Sequence, residues 1–379
     1  MEIYVVKPGD TIGSIARQYG LEQSRIVLDN QLLEPYTLAI GQALYLATST
    51  PAPAKSILVG GYAYPFISDW VLDQTLPYLT DLSIFSYGFT ADGSLIPPTL
   101  DPEKLLRAAA TKQVRSFLTL TPFDETGNFN NVLIQKLVNS GEAISKLLQE
   151  LSTEMNTRGY KGINIDFEFI LADDKDAFTA FVKQVQVAMS ALGYETTVAL
   201  APKTSDDQQG VVYVGKDYGA LGAVADAVLL MTYEWGYTYG PPMAVAPINQ
   251  VRKVVEYALT KIPAQKIDLG IPNYGYNWPI PYVKGKTVAD TINNVQAVRI
   301  AIERGSTIQF DETAQSPHFT YRDEESEHEV WFEDVRSLQA KFQLIDEYGL
   351  RGAGYWQLMQ WFRANWLLLA DTYNIQKLL

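Results

Sequence analysis

Three polar side chains alternate with apolar ones in the segment 161–169, which reads Lys-Gly-Ile-Asn-Ile-Asp-Phe-Glu-Phe. Side chains of a β-strand alternate between two faces, so Asn164, Asp166 and Glu168 are predicted to share one face. Burying two carboxylates together is unfavourable unless they are paired or used, and their repulsion raises the pKa of one of them. The pattern predicts a carboxyl group that holds a proton near neutral pH and acts as a general acid. A buried polar network without chemistry is the alternative that the pattern leaves open.

The composition of the chain limits the chemistry that can accompany these carboxylates. The 379 residues include no cysteine and two histidines, which excludes cysteine nucleophiles and thiolate metal sites and disfavours histidine triads and zinc sites. A formal net charge of −13 offers no basic surface to a phosphate backbone, so nucleic acid is not an expected partner. No apolar run reaches the ~18 residues of a membrane-spanning helix. We expect no metal, no cofactor and no insertion into a membrane.

The elements that position the carboxylates follow an alternating pattern over residues 56–379. Eight apolar runs of strand length alternate with amphipathic helical stretches, which predicts an α/β fold, the (β/α)8 TIM barrel. The spacing between the last two strands is too long for one helix and predicts an α+β insertion at about residues 279–331. The predicted strands are Ile57–Tyr62, Leu82–Tyr87, Val114–Thr121, Gly162–Glu168, Thr196–Ala201, Ala227–Tyr233, Ile267–Tyr274 and Ala353–Gln357.

The active site of such a barrel forms where the carboxyl ends of the strands meet. Glu168 is then nearest the mouth, where a general acid reaches its substrate, and Asp166 lies one layer deeper, where it can stabilise charge. Aromatic side chains that suit sugar rings dominate the other strand ends, and no glycine-rich phosphate loop follows any strand. Further candidate contacts at the strand ends are Tyr87, Asn164, Met231, Tyr233, Glu234, Trp235, Tyr274 and Trp356.

The pattern of residue types in 1–47 predicts a small separate domain with the element order β-α-α-β. A β-branched and aromatic run at 2–6 predicts a strand, and turn residues then lead into a helix that ends at Gly20. A second helix at about 23–30 and a closing strand at 43–46 complete the domain. The proline- and alanine-rich residues 48–55 predict a semi-extended linker, so the domain would tether a polymer near the barrel. The strand directly after Met1 leaves no room for a signal peptide, and we expect none.

The N-terminal residues resemble a LysM module. Residues 4–16, Tyr-Val-Val-Lys-Pro-Gly-Asp-Thr-Ile-Gly-Ser-Ile-Ala, are similar to the opening of that family, and Asp29-Asn30, the Ile-Gly-Gln turn at 40–42 and Leu44 continue the match. The resemblance implies binding of N-acetylglucosamine polymers, either chitin or peptidoglycan. The side chain of Asp10 is better explained as turn and cap chemistry. The implied glycan contacts are Gly9, Asp10, Thr11, Ile12 and Asn30.

The barrel residues resemble glycoside hydrolase family 18 over about residues 56–375. The segment 162–168 is similar to the family signature D-G-x-D-x-D-x-E, and Met-Thr-Tyr-Glu at 231–234 is similar to M-x-Y-D on strand six. Trp356 matches the tryptophan that forms the floor of the −1 sugar site. With the LysM module, the likeness is to the N-acetylglucosaminidases that lyse spore cortex. A location at the spore coat, cortex or cell wall, a monomeric state and an N-acetylglucosamine-containing polysaccharide as partner are implied.

The resemblance implies a retaining, substrate-assisted mechanism, in which one carboxyl group serves as acid and base. Glu168 would protonate the glycosidic oxygen while the 2-acetamido oxygen of the substrate attacks C1. Asp166 would accept the acetamido N–H and stabilise the oxazolinium ion, and Tyr233 would hold the acetamido group. Glu168 would then activate water. Hydrolysis of β-1,4 bonds next to N-acetylglucosamine in peptidoglycan is the first hypothesis; a chitinase and a non-catalytic glycan-binding protein are the alternatives.

The sequence departs from the family pattern at three positions and in one domain. Lys161 and Asn164 stand where the signature has aspartates, so the usual contact between inner aspartates is lost. Asp166 should therefore ionise more easily than in the usual pair. Glu234 keeps the charge of the usual aspartate but reaches one methylene further. Such cortex-lytic enzymes usually carry two LysM modules, whereas this chain shows one. Because the acid Glu168 is present, we expect activity to survive these changes.

Overall fold

A computed structural model describes residues 1–49, 52–123, 129–324 and 326–379. The N-terminal unit has the predicted β-α-α-β order: strands Glu2–Val5 and Ala43–Leu46 pair antiparallel, with helices Ile12–Tyr19 and Gln23–Asp29 between them. Thr11 caps the first helix by accepting a hydrogen bond from the backbone of Ser14. Residues 50 and 51 of the predicted linker lie outside the described residues.

Eight parallel strands close into a barrel, which confirms the predicted fold. The first strand pairs with the eighth and with the second, and each later barrel strand pairs with the one before it. The seventh and eighth strands also pair, although an insertion separates them along the chain. The short strand Leu95–Ile96 pairs antiparallel with the second barrel strand. The short strand Asn374–Ile375 pairs parallel with the first. The barrel strands are Ser56–Ala63, Asp81–Phe89, Arg115–Leu120, Gly162–Ile165, Glu195–Leu200, Ala227–Leu230, Ile267–Pro272 and Gly352–Trp356.

Amphipathic helices surround the barrel and bury their apolar faces against the outward side chains of the strands. The helices of this layer are Asp69–Thr75, Glu103–Thr111, Asn131–Val138, Gly141–Arg158, Lys175–Ser190, Tyr218–Val224, Ile248–Leu259, Val335–Tyr348 and Arg363–Thr372, with short 3-10 turns at Leu76–Tyr78, Ala172–Asp174 and Ala264–Lys266. No helix in the described ranges is long and apolar enough to cross a membrane.

Charged side chains join the strands at the end of the barrel opposite the mouth. Arg115 donates to Asp81 at 2.6 Å and to Glu195 at 2.9 Å, and Arg351 donates to Glu195 at 2.5 Å and to Asp268. These residues stand at or next to the first positions of five strands, so the network ties the strand beginnings together. The carboxylates at the mouth belong to a separate group.

The fourth barrel strand ends at Ile165, three residues before the predicted end at Glu168. The side-chain alternation nevertheless continues, because Phe167 is fully buried on the outer face. Its ring stacks on Phe89, Phe178 and Phe181 at centroid distances of 5.3, 5.7 and 5.6 Å. Burial of one such ring is worth about 1.5–3 kcal/mol, so packing fixes this segment beyond the strand ladder.

The second barrel strand does not keep a strict alternation. Its pairing with the third strand shifts register between Ile84 and Tyr87. As a result, Phe85 packs among the aromatic rings inside the barrel, whereas Tyr87 points to the outer helices. A shift of this kind reverses which side chains face inward.

The insertion forms a five-stranded antiparallel sheet with one helix. Its strands are Gly275–Ile280, Asp290–Ile292, Gln309–Asp311, Ser316–Arg322 and Glu327–Trp331, and its helix is Asn294–Arg304. The sheet begins at Gly275, before the predicted start at about 279, because the chain continues from the seventh barrel strand almost directly into the insertion.

The N-terminal unit is docked on the rest of the protein, an arrangement that the semi-extended linker alone does not predict. Arg363 donates to the buried Asp29 at 3.1 Å, and its backbone N–H donates to Gln31 at 2.7 Å. Tyr45 donates to Asp371 at 2.6 Å. Gly41 lies so close to the insertion that a Cβ there would stand 1.8 Å from a carbonyl oxygen, so glycine is required.

Candidate active site

Asp166 and Glu168 lie at the carboxyl end of the fourth strand, as the sequence predicts. Asp166 is buried, whereas Glu168 is partly exposed at the mouth. Burial, and then repulsion from Glu168, raises the pKa of Asp166 to about 7. Burial also raises the pKa of Glu168, and the nearby Lys216 opposes both shifts. The pair can therefore hold one proton near neutral pH, which a general acid requires.

The Oδ1 atom of Asp166 is buried and accepts no hydrogen bond from the residues that the structure describes. An unpaired buried oxygen of this kind is costly, and native proteins keep few of them. It is an acceptor open to the N–H of a bound ligand.

Asn164 is placed inside the barrel and not at the substrate surface. Its Oδ1 accepts the hydroxyl of Tyr62 at 2.9 Å, and its Nδ2 donates to Thr197 at 2.8 Å. Both polar ends of the amide are thus engaged by neighbouring strands. The structure contradicts the prediction that Asn164 contacts substrate, and gives it the role of a link beneath Asp166.

Tyr233 follows the sixth strand and is buried beside the carboxylates. Its pKa lies well above the usual value because of burial and the neighbouring Tyr62, Asp166 and Glu168. The ring fills the space over Gly270, where a Cβ would stand 2.9 Å from it. Because its pKa is raised, the hydroxyl is neutral, and its interaction with Asp166 and Glu168 places it near both carboxyl groups.

Glu234 adopts a left-handed backbone conformation with φ of 67°, unusual for a residue other than glycine. Its carboxylate accepts the hydroxyl of Tyr274 and, at 2.9 Å, that of Tyr276. Loss of hydration raises the pKa of Glu234, and the two hydroxyl donors oppose that shift. Met231 and Trp235, which flank this turn, are half-buried against the core. The predicted residues Glu234 and Tyr274 are therefore direct partners.

Trp356 ends the eighth strand and is partly exposed in the mouth. Its ring lies 5.6 Å from Tyr62, 6.3 Å from Tyr64 and 5.1 Å from Phe85 between centroids. Both tyrosines are among the aromatic residues that the sequence places at the strand ends, whereas Phe85 is revealed only by the register shift.

Tyr87 is not a site residue, and that prediction is wrong. The side chain is fully buried behind the barrel wall, where its hydroxyl donates to Glu154 at 2.9 Å and lies 3.0 Å from the hydroxyl of Tyr160. The register shift described above turns it away from the mouth.

The predicted glycan contacts of the N-terminal unit divide into exposed and structural residues. Gly9 and Thr11 lie on the first loop, and Asp10 accepts hydrogen bonds from Tyr4 and from the backbone of Lys7, both at 2.7 Å. Ile12 is buried in the core of the unit, which leaves it little surface for a sugar.

Asn30 is likewise structural. Its amide donates to the carbonyl of Tyr45 at 2.8 Å and accepts from the N–H of the same residue at 2.7 Å. Its side chain therefore closes the unit and is not free to bind a glycan.

Within the described ranges, no three His, Asp or Glu side chains form a group that could hold a metal ion. The chemistry that these side chains support is proton transfer at a partly exposed carboxyl group, next to a buried acceptor and a floor of aromatic rings.

Comparisons with known proteins show which families the two parts of the chain match. The family described as Glycosyl hydrolases family 18 matches residues 106–360, and the LysM domain matches residues 4–47. The cortical fragment-lytic enzyme of Bacillus subtilis (strain 168) is 41% identical over 430 residues, which cover 100% of this chain and 99% of that protein.

Two crystal structures extend the likeness to the fold. The spore cortex-lytic enzyme SleL of Bacillus megaterium QM B1551 is 35% identical with a TM-score of 0.93, covering 100% of this chain and 99% of that one. SleL of Bacillus cereus is 34% identical with a TM-score of 0.82, covering 99% and 87%. The barrel and its acidic mouth define a glycoside hydrolase. The chain belongs to glycosyl hydrolase family 18 and carries a LysM domain at its N-terminus.

Proposed function

We propose that the protein hydrolyses β-1,4 bonds that follow N-acetylglucosamine in the peptidoglycan of spore cortex. The names of the relatives support this substrate, since proteins similar over the whole chain are called cortical fragment-lytic and spore cortex-lytic enzymes. The LysM domain supports an N-acetylglucosamine-containing polymer as partner and a place at the cortex or cell wall.

Glu168 acts as acid and then as base. It is the more exposed member of the pair, and its raised pKa leaves it a proton to give to the glycosidic oxygen. The C1–O bond breaks as the proton arrives, and the 2-acetamido oxygen forms the new bond to C1. Water then adds to C1 with its proton passing to Glu168, which restores the acetamido group and retains the anomeric configuration.

The single observation that carries this mechanism is the Oδ1 atom of the buried Asp166, which has no hydrogen-bond partner in the described part of the chain. A 2-acetamido N–H that reaches this atom would satisfy it and would draw the acetamido group into line with C1. Tyr233 acts from the end of the sixth strand as a neutral donor to the acetamido oxygen. Trp356 forms the apolar floor for the ring. Asp10 and Thr11 contribute to glycan binding through the first loop of the LysM domain.

The bond that is cut is tested by the sugar at the new reducing end. Purified cortex fragments are digested, reduced with borohydride and hydrolysed to monosaccharides. Reduced glucosamine is expected as the new end group. Reduced muramic acid would show cleavage on the other side of the repeat and would refute the proposal, and digestion of chitooligosaccharides alone would make the protein a chitinase.

A further inference from the structure

Lys216 is a fully buried lysine on the loop between the fifth barrel strand and the helix Tyr218–Val224. Its backbone N–H donates to Tyr213 at 3.1 Å, and its carbonyl accepts Nζ of Lys203 at 3.0 Å. The preceding Gly215 packs so tightly that a Cβ there would stand 2.4 Å from the carbonyl oxygen of Ile170. The loop is thus held on both sides of Lys216 and aims its side chain inward.

The ammonium group of Lys216 ends beside the catalytic segment. Nζ donates to the carbonyl of Ala199 at 3.2 Å. The fourth and fifth strands run parallel with Ile165 opposite Val198, so the next residues along, Asp166 and Ala199, lie side by side. The cation therefore reaches the strand end from which the catalytic carboxyl groups project.

Among the described residues, the ammonium group of Lys216 has one hydrogen bond, to a neutral carbonyl, and a buried cation of this kind needs compensating negative charge nearby. The anions that act on Lys216 are Asp166 and Glu168, which oppose the effect of burial on its pKa. In return, Lys216 lowers the pKa of both carboxyl groups. The mechanism proposed above assigns this cation no role.

We propose that Lys216 is a positioning residue of the active site, whose buried ammonium group keeps the Asp166–Glu168 pair in its singly protonated form. The proposal rests on the proposed function, in which one carboxylate accepts and one carboxyl group donates. One ammonium ion, one carboxylate and one carboxyl group sum to zero charge, which is the least costly charge state for a buried cluster.

The other titratable groups around the cluster do not supply this charge. Tyr62, Tyr64 and Tyr233 face Asp166 and have raised pKa values, so they are neutral at working pH. Glu234 adds a further acidic group near Glu168. Lys203, on the far side of the loop, lies near a different pair of anions, Asp206 and Asp217, which oppose the lowering of its pKa by burial.

The test replaces Lys216 by Met, which keeps the length of the side chain and removes its charge. Without the cation, both carboxyl groups bind protons more tightly, so both limbs of the pH profile of kcat/KM should move to higher pH by about one unit. The Asp166 carboxyl group is also titrated without substrate by 13C NMR, with Asp166→Asn used to assign its signal. The pH midpoint of the Asp166 titration should be higher in Lys216→Met than in the wild type.

Two further variants separate charge from packing. Lys266→Met removes a partly buried lysine whose Nζ donates to the backbone carbonyls of Gly222 and Ala225, just before the start of the seventh strand, and should leave the pH limbs and the Asp166 midpoint in place. Lys216→Gln keeps a donor for the Ala199 carbonyl but no charge, and should shift both readouts as Lys216→Met does. Since the chain has no cysteine, Lys216→Cys can be aminoethylated selectively in denaturant and refolded, which should return the profile towards that of the wild type.

Unchanged pH limbs and an unchanged Asp166 midpoint in Lys216→Met, with only a loss of thermal stability, would overturn the proposal and leave Lys216 a packing residue. Failure of the proposed function is a different result: the wild type would cleave no glycan, while the NMR titration would still decide whether Lys216 sets the protonation of Asp166.

Discussion

The hydroxyl of Tyr62 lies 2.9 Å from Oδ1 of Asn164, and this contact joins the first and fourth strands beneath Asp166 and Glu168. It gives the amide a fixed place, with its other end on Thr197. Position 164, one layer beneath Asp166, therefore carries a neutral side chain with a hydrogen bond at each end of its amide. Asp166 has no carboxylate next to it at that position. The acidity of the site is set by burial, Glu168 and Lys216.

Asp166→Asn should change the pH dependence of stability. The pKa of Asp166 is raised to about 7, so the folded protein binds this proton more tightly than the unfolded chain does. Ionisation of the group then destabilises the fold progressively as pH rises from about 4 to about 7. The variant should match the wild type near pH 4 and exceed its free energy of unfolding at pH 8 by about 1–3 kcal/mol. Urea unfolding at both pH values measures this difference.

Asp206→Asn is the control for that experiment, because Lys261 and Tyr257 lower the pKa of this exposed carboxylate. Asp206→Asn should lower the free energy of unfolding relative to the wild type, and this loss should appear as pH rises. A stability gain for Asp166→Asn that is equal at both pH values would contradict the assigned pKa.

Tyr233→Phe should reduce kcat by about 100-fold on cortex fragments, because one donor to the developing charge is lost while the ring that packs over Gly270 remains. Steady-state kinetics measure the change. Tyr87→Phe is the matched control, since its hydroxyl binds Glu154 and Tyr160 behind the barrel wall. It should lower stability and leave kcat unchanged, and a fall in kcat with Tyr87→Phe would contradict its assigned position.

Arg363→Ala should loosen the LysM domain from the barrel. Among the described residues, the variant leaves the buried Asp29 with Arg25 as its one ionic partner, and it removes a contact between the two domains. A loss of about 1–2 kcal/mol and an earlier calorimetric transition for the LysM domain are expected. Arg299→Ala, which breaks an exposed pair with Glu303, should leave the calorimetric profile unchanged. Identical profiles for the two variants would show that the docked arrangement does not persist in solution.

The sequence predicts the barrel because each of its eight strands is a distinct apolar run bounded by helical patterns. It also places Asp166 and Glu168 correctly, since the alternation of side chains survives beyond the strand end at Ile165 through the packing of Phe167. A periodic sequence pattern predicts on which face of a regular element each residue lies.

The parts that the sequence does not predict depend on irregular or long-range contacts. The register shift after Ile84 puts Phe85 in the mouth and Tyr87 outside it, and no local pattern marks it. Lys216 lies in a loop without periodicity, so its burial depends on the closure of the whole barrel. The docking of Asp29 on Arg363 joins residues 334 positions apart.

The central claim is that Glu168 is the acid and base of a glucosaminidase, and Glu168→Gln tests it most directly. Wild type and variant are incubated with cortex fragments, products are followed by mass spectrometry, and folding is checked by thermal unfolding. The account predicts that the variant folds, still binds cortex, and cleaves at least about 100-fold more slowly than the wild type. Cleavage by Glu168→Gln at the wild-type rate would contradict the account and leave the strand-four carboxylates without a catalytic role.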